Sequence, residues 1–354
     1  MTRRRLVTTA VGVLVVALVV TAAVVGVRWW REAHRTDLER ALDLAPGDGE
    51  RFSWTDWAAV REELGADLSA DSPQDEVVDF MGEGYDADLT SASALPESAQ
   101  QLHVQYGFSP ASVDWELFSQ SKAGAVVMLH LPDAADWDGI ADRLRRLGYR
   151  EPDDEDGVWL GGNDTLGRIG GVTPELSYVS LLEDESLILT SDAKAYLETA
   201  VDSAVGDGDP VEGLDEVVGA SGEPLSAAIY TGAQACAALS MGQADPDDEA
   251  EADRLVAKAG EVDPFTAYAM SVQPDRDLRL ALSFETDDQA RRNADSRAAL
   301  AAGPAPGQGG DFADRFTLGD VEADGTLLTM ELAPVEGTFV LSDLSTGPVL
   351  FATC

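Results

Sequence analysis

The chain has 354 residues, with 24 Lys+Arg against 65 Asp+Glu and a formal net charge of -41. The first 35 residues hold six Arg and one acid, so the remainder carries 18 basic and 64 acidic side chains, a net charge of -46. Such a surface repels a phosphate backbone and an anionic lipid headgroup, while 45% hydrophobic content is too high for a disordered acidic chain and predicts a packed core.

Residues 1–5 form a short basic tail with Arg3, Arg4 and Arg5. Leu6 to Val27 is an uncharged run of 22 residues. As a helix it would span roughly 33 Å, enough to cross a bilayer core. Trp29 and Trp30 follow at the expected depth of an aromatic belt. Arg28, Arg31, Arg35 and Arg40 lie beyond, interleaved with Glu32, Asp37 and Glu39, so the compact Arg triplet favours a cytoplasmic N-terminus. A cleaved signal peptide ending near Val20-Thr21-Ala22 is the alternative, but the apolar run continues past that point. The expected location is the cell membrane, single-pass, with the bulk of the chain extracytoplasmic.

Residues 28–48 read as a juxtamembrane helix and linker, stopping near Pro46-Gly47. A first α+β unit is expected over 49–210. Ser53-Trp54-Thr55-Asp56 reads as the opening of a helix through Leu64, and Ser72-Pro73-Gln74-Asp75 as the start of another burying Val77, Val78, Phe80 and Met81. Pro96–Tyr106 is a third. Val113–Ser119 and Ala125–Leu131 then alternate as a hairpin. Asp133 is the expected cap of a helix carrying Trp137, Ile140, Leu144 and Leu147 up to Gly148. Val158–Leu160 is a short strand, and Gly161, Gly162, Gly167, Gly170 and Gly171 mark a surface loop. Leu176–Leu182 and Ser186–Thr190 form a second hairpin, followed by a helix from Asp192 through Val205.

Gly206–Asp209 with Pro210 and Gly213 is the expected joint to a second α+β unit over 211–354. It comprises a strand at Ser226–Tyr230, a helix at Ala233–Met241 bearing Cys236, and a helix after the acidic run Asp245–Asp253. Strands at Thr266–Gln273 and Asp277–Phe284, a helix from Asp287, and a hairpin turned by Asp324-Gly325 complete it. The fold class is therefore α+β: an N-terminal transmembrane helix, then two α+β units with mainly antiparallel sheets.

The two cysteines, Cys236 and Cys354, are sparse and even in number, which in an exported chain reads as one disulfide. Catalytic motifs are missing. There is no G-x-S-x-G elbow, no Walker motif and no G-x-G-x-x-G. The S-x-x-K pattern at Ser119…Lys122 and Ser191…Lys194 has no accompanying K-T-G. Three histidines, His34, His103 and His130, show no metal-ligand spacing. No catalytic or cofactor-binding residue is assigned. Calcium is the one ion the composition invites, with weak candidates at Asp153, Asp154 and Asp156 and at Asp245, Asp247 and Asp248. Neither cluster fits the EF-hand pattern.

The layout of a short Arg-rich tail, one span, an acidic α+β region and a final Cys is similar to that of uncharacterised single-span extracytoplasmic proteins of high-GC Gram-positive bacteria. That resemblance implies a location and no activity. The expected function is a non-enzymatic interaction or ligand-binding module of the cell envelope, and the alternative is a carboxylate-dependent hydrolase of envelope glycans. Expected partners are the membrane, through one helix, and another envelope protein or a cationic ligand; nucleic acid is excluded by charge.

Overall fold

The structure, a computed structural model, describes residues 35–154, 156–206 and 208–354. The expected span at 6–27, with its flanking arginines and tryptophans up to His34, lies outside the described residues. Among these, no helix is long and apolar enough to cross a membrane.

The described chain begins with the helix Asp37–Leu44. Thr36 starts it with a capping box: its hydroxyl accepts from the Glu39 amide, and the Glu39 carboxylate accepts from the Thr36 amide. Eleven strands follow: β1 (Arg51–Thr55), β2 (Trp115–Gln120), β3 (Ala125–His130), β4 (Trp159–Leu160), β5 (Tyr178–Leu182), β6 (Leu187–Ser191), β7 (Ser226–Thr231), β8 (Ala267–Val272), β9 (Leu278–Ser283), β10 (Phe316–Asp324) and β11 (Leu327–Pro334). They form one sheet in the order β10-β11-β9-β8-β7-β1-β2-β3-β6-β5-β4. Every pairing is antiparallel.

The mixed α+β class and the antiparallel pairing agree with the sequence reading. Two separate sheets do not form. The strands of both units belong to one sheet, joined through β1, which pairs with β2 on one side and β7 on the other. This joining strand is where the sequence reading fails locally. Ser53–Asp56 does not open a helix: Arg51–Thr55 is extended, and the helix starts at Trp57, with Asp56 accepting from the Ala59 amide at 2.8 Å. Phe52 and Trp54 share one face at the two-residue period of a strand, and both are buried. The helical run beginning right after them hid that short alternation.

The sheet is covered on both faces. Alternation along β3 shows why: Val126 and Met128 face one core, Val127 and Leu129 the other. One face is packed by the helices Asp37–Leu44, Lys194–Ala204 and Asp215–Ser221. The opposite face carries the helices Trp57–Leu64, Gln74–Asp86, Trp137–Leu147 and Asp287–Ala301, together with the C-terminal segment. Two further corrections concern helices. The glycine-rich stretch is not a loop: Gly162–Ile169 is helical and buries Thr165 and Leu166, and it ends at Gly170 and Gly171, both at positive φ. Short helices also form at Asp215–Ser221 and Val340–Leu344, where the sequence pattern marks no element.

The sheet's edges are unequal. β4 is two residues long, whereas β10 spans nine. β10 is interrupted by a register shift between Leu318 and Val321 and carries Asp320, Glu322 and Asp324. A bulge and repeated charge both discourage pairing with another chain.

Candidate functional site

The short β4 edge forms one wall of a cleft of about 530 Å³. Its floor is apolar, made by Trp137 and Ala141 of the Trp137–Leu147 helix, Trp159 of β4 and Leu181 of β5. Its rim is acidic: Asp138, Glu151, Asp153, Asp154, Asp156, Glu183 and Asp184. Three elements supply these acids. Asp138 comes from the helix, Glu183 and Asp184 from the β5–β6 turn, and the rest from the loop between the helix and β4. That loop folds tightly on itself. The Gly157 amide donates to Asp154 O at 3.0 Å, and a Cβ at Gly157 would lie 2.5 Å from the Pro152 Cβ.

The cleft already holds one cation. Arg145 lies over Trp159, with its Cζ 5.5 Å from the ring centroid. Its Nε donates to Glu151 at 2.7 Å and its Nη1 to Asp142 at 2.6 Å. The hydrogen bonds from Arg145 lower the pKa of the Glu151 carboxyl. Asp138, Asp153, Asp154, Asp156, Glu183 and Asp184 make no ion pair within 4.0 Å among the described residues.

The structure thus brings Asp153, Asp154 and Asp156 to one cleft with their neighbour Glu151 and adds three acids more distant in sequence, Asp138, Glu183 and Asp184. Among the described residues, however, no group of three or more carboxylates or other ligating side chains is placed to hold a metal ion. Asp247 and Asp248 lie in the first turn of the Pro246–Ala259 helix, with Asp245 at its N-cap. There, negative charge favours the helix dipole.

The remaining sequence candidates have structural partners. His103 is buried between Ser72 and Ser109: Nε2 is 2.8 Å from the Ser72 carbonyl, and Nδ1 is 3.1 Å from the Ser109 hydroxyl. His130 stacks on Trp115 at 5.1 Å, with Nδ1 3.2 Å from Asp114. In the two S-x-x-K stretches, Lys122 meets Glu50 and Lys194 meets Glu198. Cys236 and Cys354 form the disulfide, with Cα atoms 5.5 Å apart.

The buried ionisable groups escaped the sequence reading. Glu116 of β2 accepts from Trp57 Nε1 at 3.0 Å, Ser93 Oγ at 2.6 Å and the Ala94 amide at 2.6 Å, pinning the 88–96 segment to the sheet. Burial pushes its pKa up, against those hydrogen bonds. Asp88 accepts from the Leu341 and Ser342 amides at the start of the Val340–Leu344 helix, and burial raises its pKa as well. Arg297 is fully buried. It donates to Asp263 O, Phe351 O, Thr353 O and Asn293 Oδ1, and its Cζ lies 5.2 Å and 5.7 Å from the ring centroids of Phe265 and Phe284. Each of these groups holds loops or the chain terminus in place.

No protein-family model matches the sequence, and no curated protein matches it. Two solved structures are similar in outline, crystal forms I and III of TP0453, at 7% and 8% identity with TM-scores of 0.42 and 0.40. Each comparison covers 86% of this chain, with 96% and 97% of the other chains. No functional reading is taken from a likeness at this level.

Proposed function

We propose that the protein is a membrane-anchored, extracytoplasmic binding module of the cell envelope, with its N-terminus cytoplasmic, and that the β4-edge cleft receives a cationic group of a partner. The observation that carries the reading is Arg145 seated over Trp159 and gripped by Glu151, beside six further acids without ion pairs. An indole face with carboxylates around it is the chemistry that recognises a guanidinium or an ammonium. The expected partner is thus a basic segment of another envelope protein or a small cation.

Titration of the detergent-solubilised full-length protein with an oligo-arginine peptide, followed by tryptophan fluorescence, tests this. Saturable, salt-sensitive binding is expected, and D153N/D154N/D156N should weaken it several-fold. D245N/D247N/D248N changes the net charge equally and should leave it unchanged. Equal effects of the two triple variants would reduce the binding to bulk charge. Reporter fusions after residue 60 test the topology: activity only in a cytoplasmic reporter refutes the anchoring.

A further inference from the structure

A second cleft, of about 490 Å³, opens between the Trp57–Leu64 and Trp137–Leu147 helices, and none of its residues belongs to the β4-edge site. Its apolar wall includes Leu68, Ala111, Leu131 and Ile140. Two arginines face it. Arg61 is half-buried, with Nη1 donating to Pro110 O at 2.7 Å and Val113 O at 2.8 Å. Arg143 is half-buried, with Nη1 donating to Val104 O at 3.3 Å. Its side chain runs past Gly107, where a Cβ would come within 2.8 Å of both its Cδ and Nε.

Among the described residues neither arginine forms an ion pair within 4.0 Å, although the charges of Asp114 and Asp56 act on Arg61. Arg40, Arg145, Arg276, Arg279, Arg291 and Arg292 each sit against a carboxylate, whereas Arg61 and Arg143 are held by backbone carbonyls at the wall of a cleft. Both guanidiniums are fixed through one nitrogen by backbone carbonyls, and among the described residues no partner takes up their other N–H groups. The cleft's carboxylates are Asp71, Asp114 and Asp136. Asp114 faces His130, and Asp136 caps the helix by accepting from the Gly139 amide at 3.0 Å. Two positive and three negative groups leave the cleft one charge negative. A simple anion therefore meets excess acid, and a simple cation leaves Arg143 without a carboxylate and competes with Arg61 for Asp114. A molecule carrying both signs meets neither penalty.

We propose that this cleft binds a small zwitterion with an apolar side chain, an amino acid or short peptide, its carboxylate on Arg61 and Arg143 and its ammonium toward the aspartates. The volume lies in the range of small-ligand sites, roughly 300–1,000 Å³. Calorimetric titration of the detergent-solubilised full-length protein with the dipeptide Leu-Leu tests the proposal, set beside its N-acetylated form and its C-terminal amide. Saturable binding of Leu-Leu is expected, with each blocked form at least about tenfold weaker, the usual cost of leaving a charged group unpaired. Arg143→Gln should weaken Leu-Leu about tenfold while leaving the melting temperature and oligo-arginine binding unchanged. Arg143 is the informative position, because Arg61 also ties down two backbone carbonyls. Absence of saturable Leu-Leu binding, equal binding of the blocked forms, or an indifferent R143Q would each overturn the proposal. Loss of oligo-arginine binding with Leu-Leu binding intact would remove only the cationic-partner reading and leave this one supported.

Discussion

Arg297→Met is the sharpest test of how the C-terminal segment is held. Arg297 is 0% exposed, and burial lowers its pKa to about 9, so it stays cationic at neutral pH. Its four acceptors are Asp263 O, Phe351 O, Thr353 O and Asn293 Oδ1. Methionine fills much of the volume and donates nothing. A buried acceptor left without a donor costs about 1–3 kcal/mol, and partial relaxation brings the expected total to about 3–5 kcal/mol. The Phe351 and Thr353 carbonyls could escape into water if the tail peeled away, but the Cys236–Cys354 bridge prevents it. In a C236S/C354S background the tail can move, so the same substitution should cost about 1–2 kcal/mol less. Equilibrium urea unfolding, followed by tryptophan fluorescence under non-reducing conditions, measures both numbers. If R297M lies within about 1 kcal/mol of wild type, or if the two perturbations simply add, the argument fails.

Two further outcomes follow from buried and surface charge. Burial raises the pKa of Glu116 above its ordinary value of 4.5, so the folded state binds more protons than the unfolded state just above that pH. The sign follows from linkage: stability from this group is present at low pH and lost as pH rises through the folded value. The stability advantage of wild type over E116Q should therefore shrink as pH rises past the ordinary carboxylate range; a difference constant with pH would show that Glu116 does not titrate as argued. For ions, millimolar CaCl₂ and MgCl₂ at matched ionic strength should raise the melting temperature equally, by screening self-repulsion. A distinctly larger calcium shift would reveal a specific calcium site.

How much was legible in the sequence depended on whether the signal was local. The hairpin at Asp324-Gly325 is read from two residues, because a tight turn needs the positive φ that glycine supplies, and Gly325 has φ 59°. The Trp137–Leu147 helix is likewise read from its apolar spacing, although Asp136 rather than the expected Asp133 caps it. β1 was not readable, because five residues of alternation are short and a helix begins one residue later. The acidic cleft was half visible. Asp153, Asp154 and Asp156 are neighbours in sequence, but Glu183, Asp184, Trp137 and Trp159 join them only because β4, β5 and one helix meet at the sheet's edge.

The sequence by itself determined the charge division, the α+β class, most of the strands and helices and the pairing of the only two cysteines. These follow from composition, period and count, which need no partner in space. Tertiary structure decided that the strands of both units make one sheet, that Glu116, Asp88 and Arg297 are buried ties and that Arg61 and Arg143 line one cleft. A burial penalty or an unmet charge depends on what the fold places within a few ångströms, and sequence separation does not report that distance. Arg297 and Thr353 lie 56 positions apart and meet at 3.0 Å.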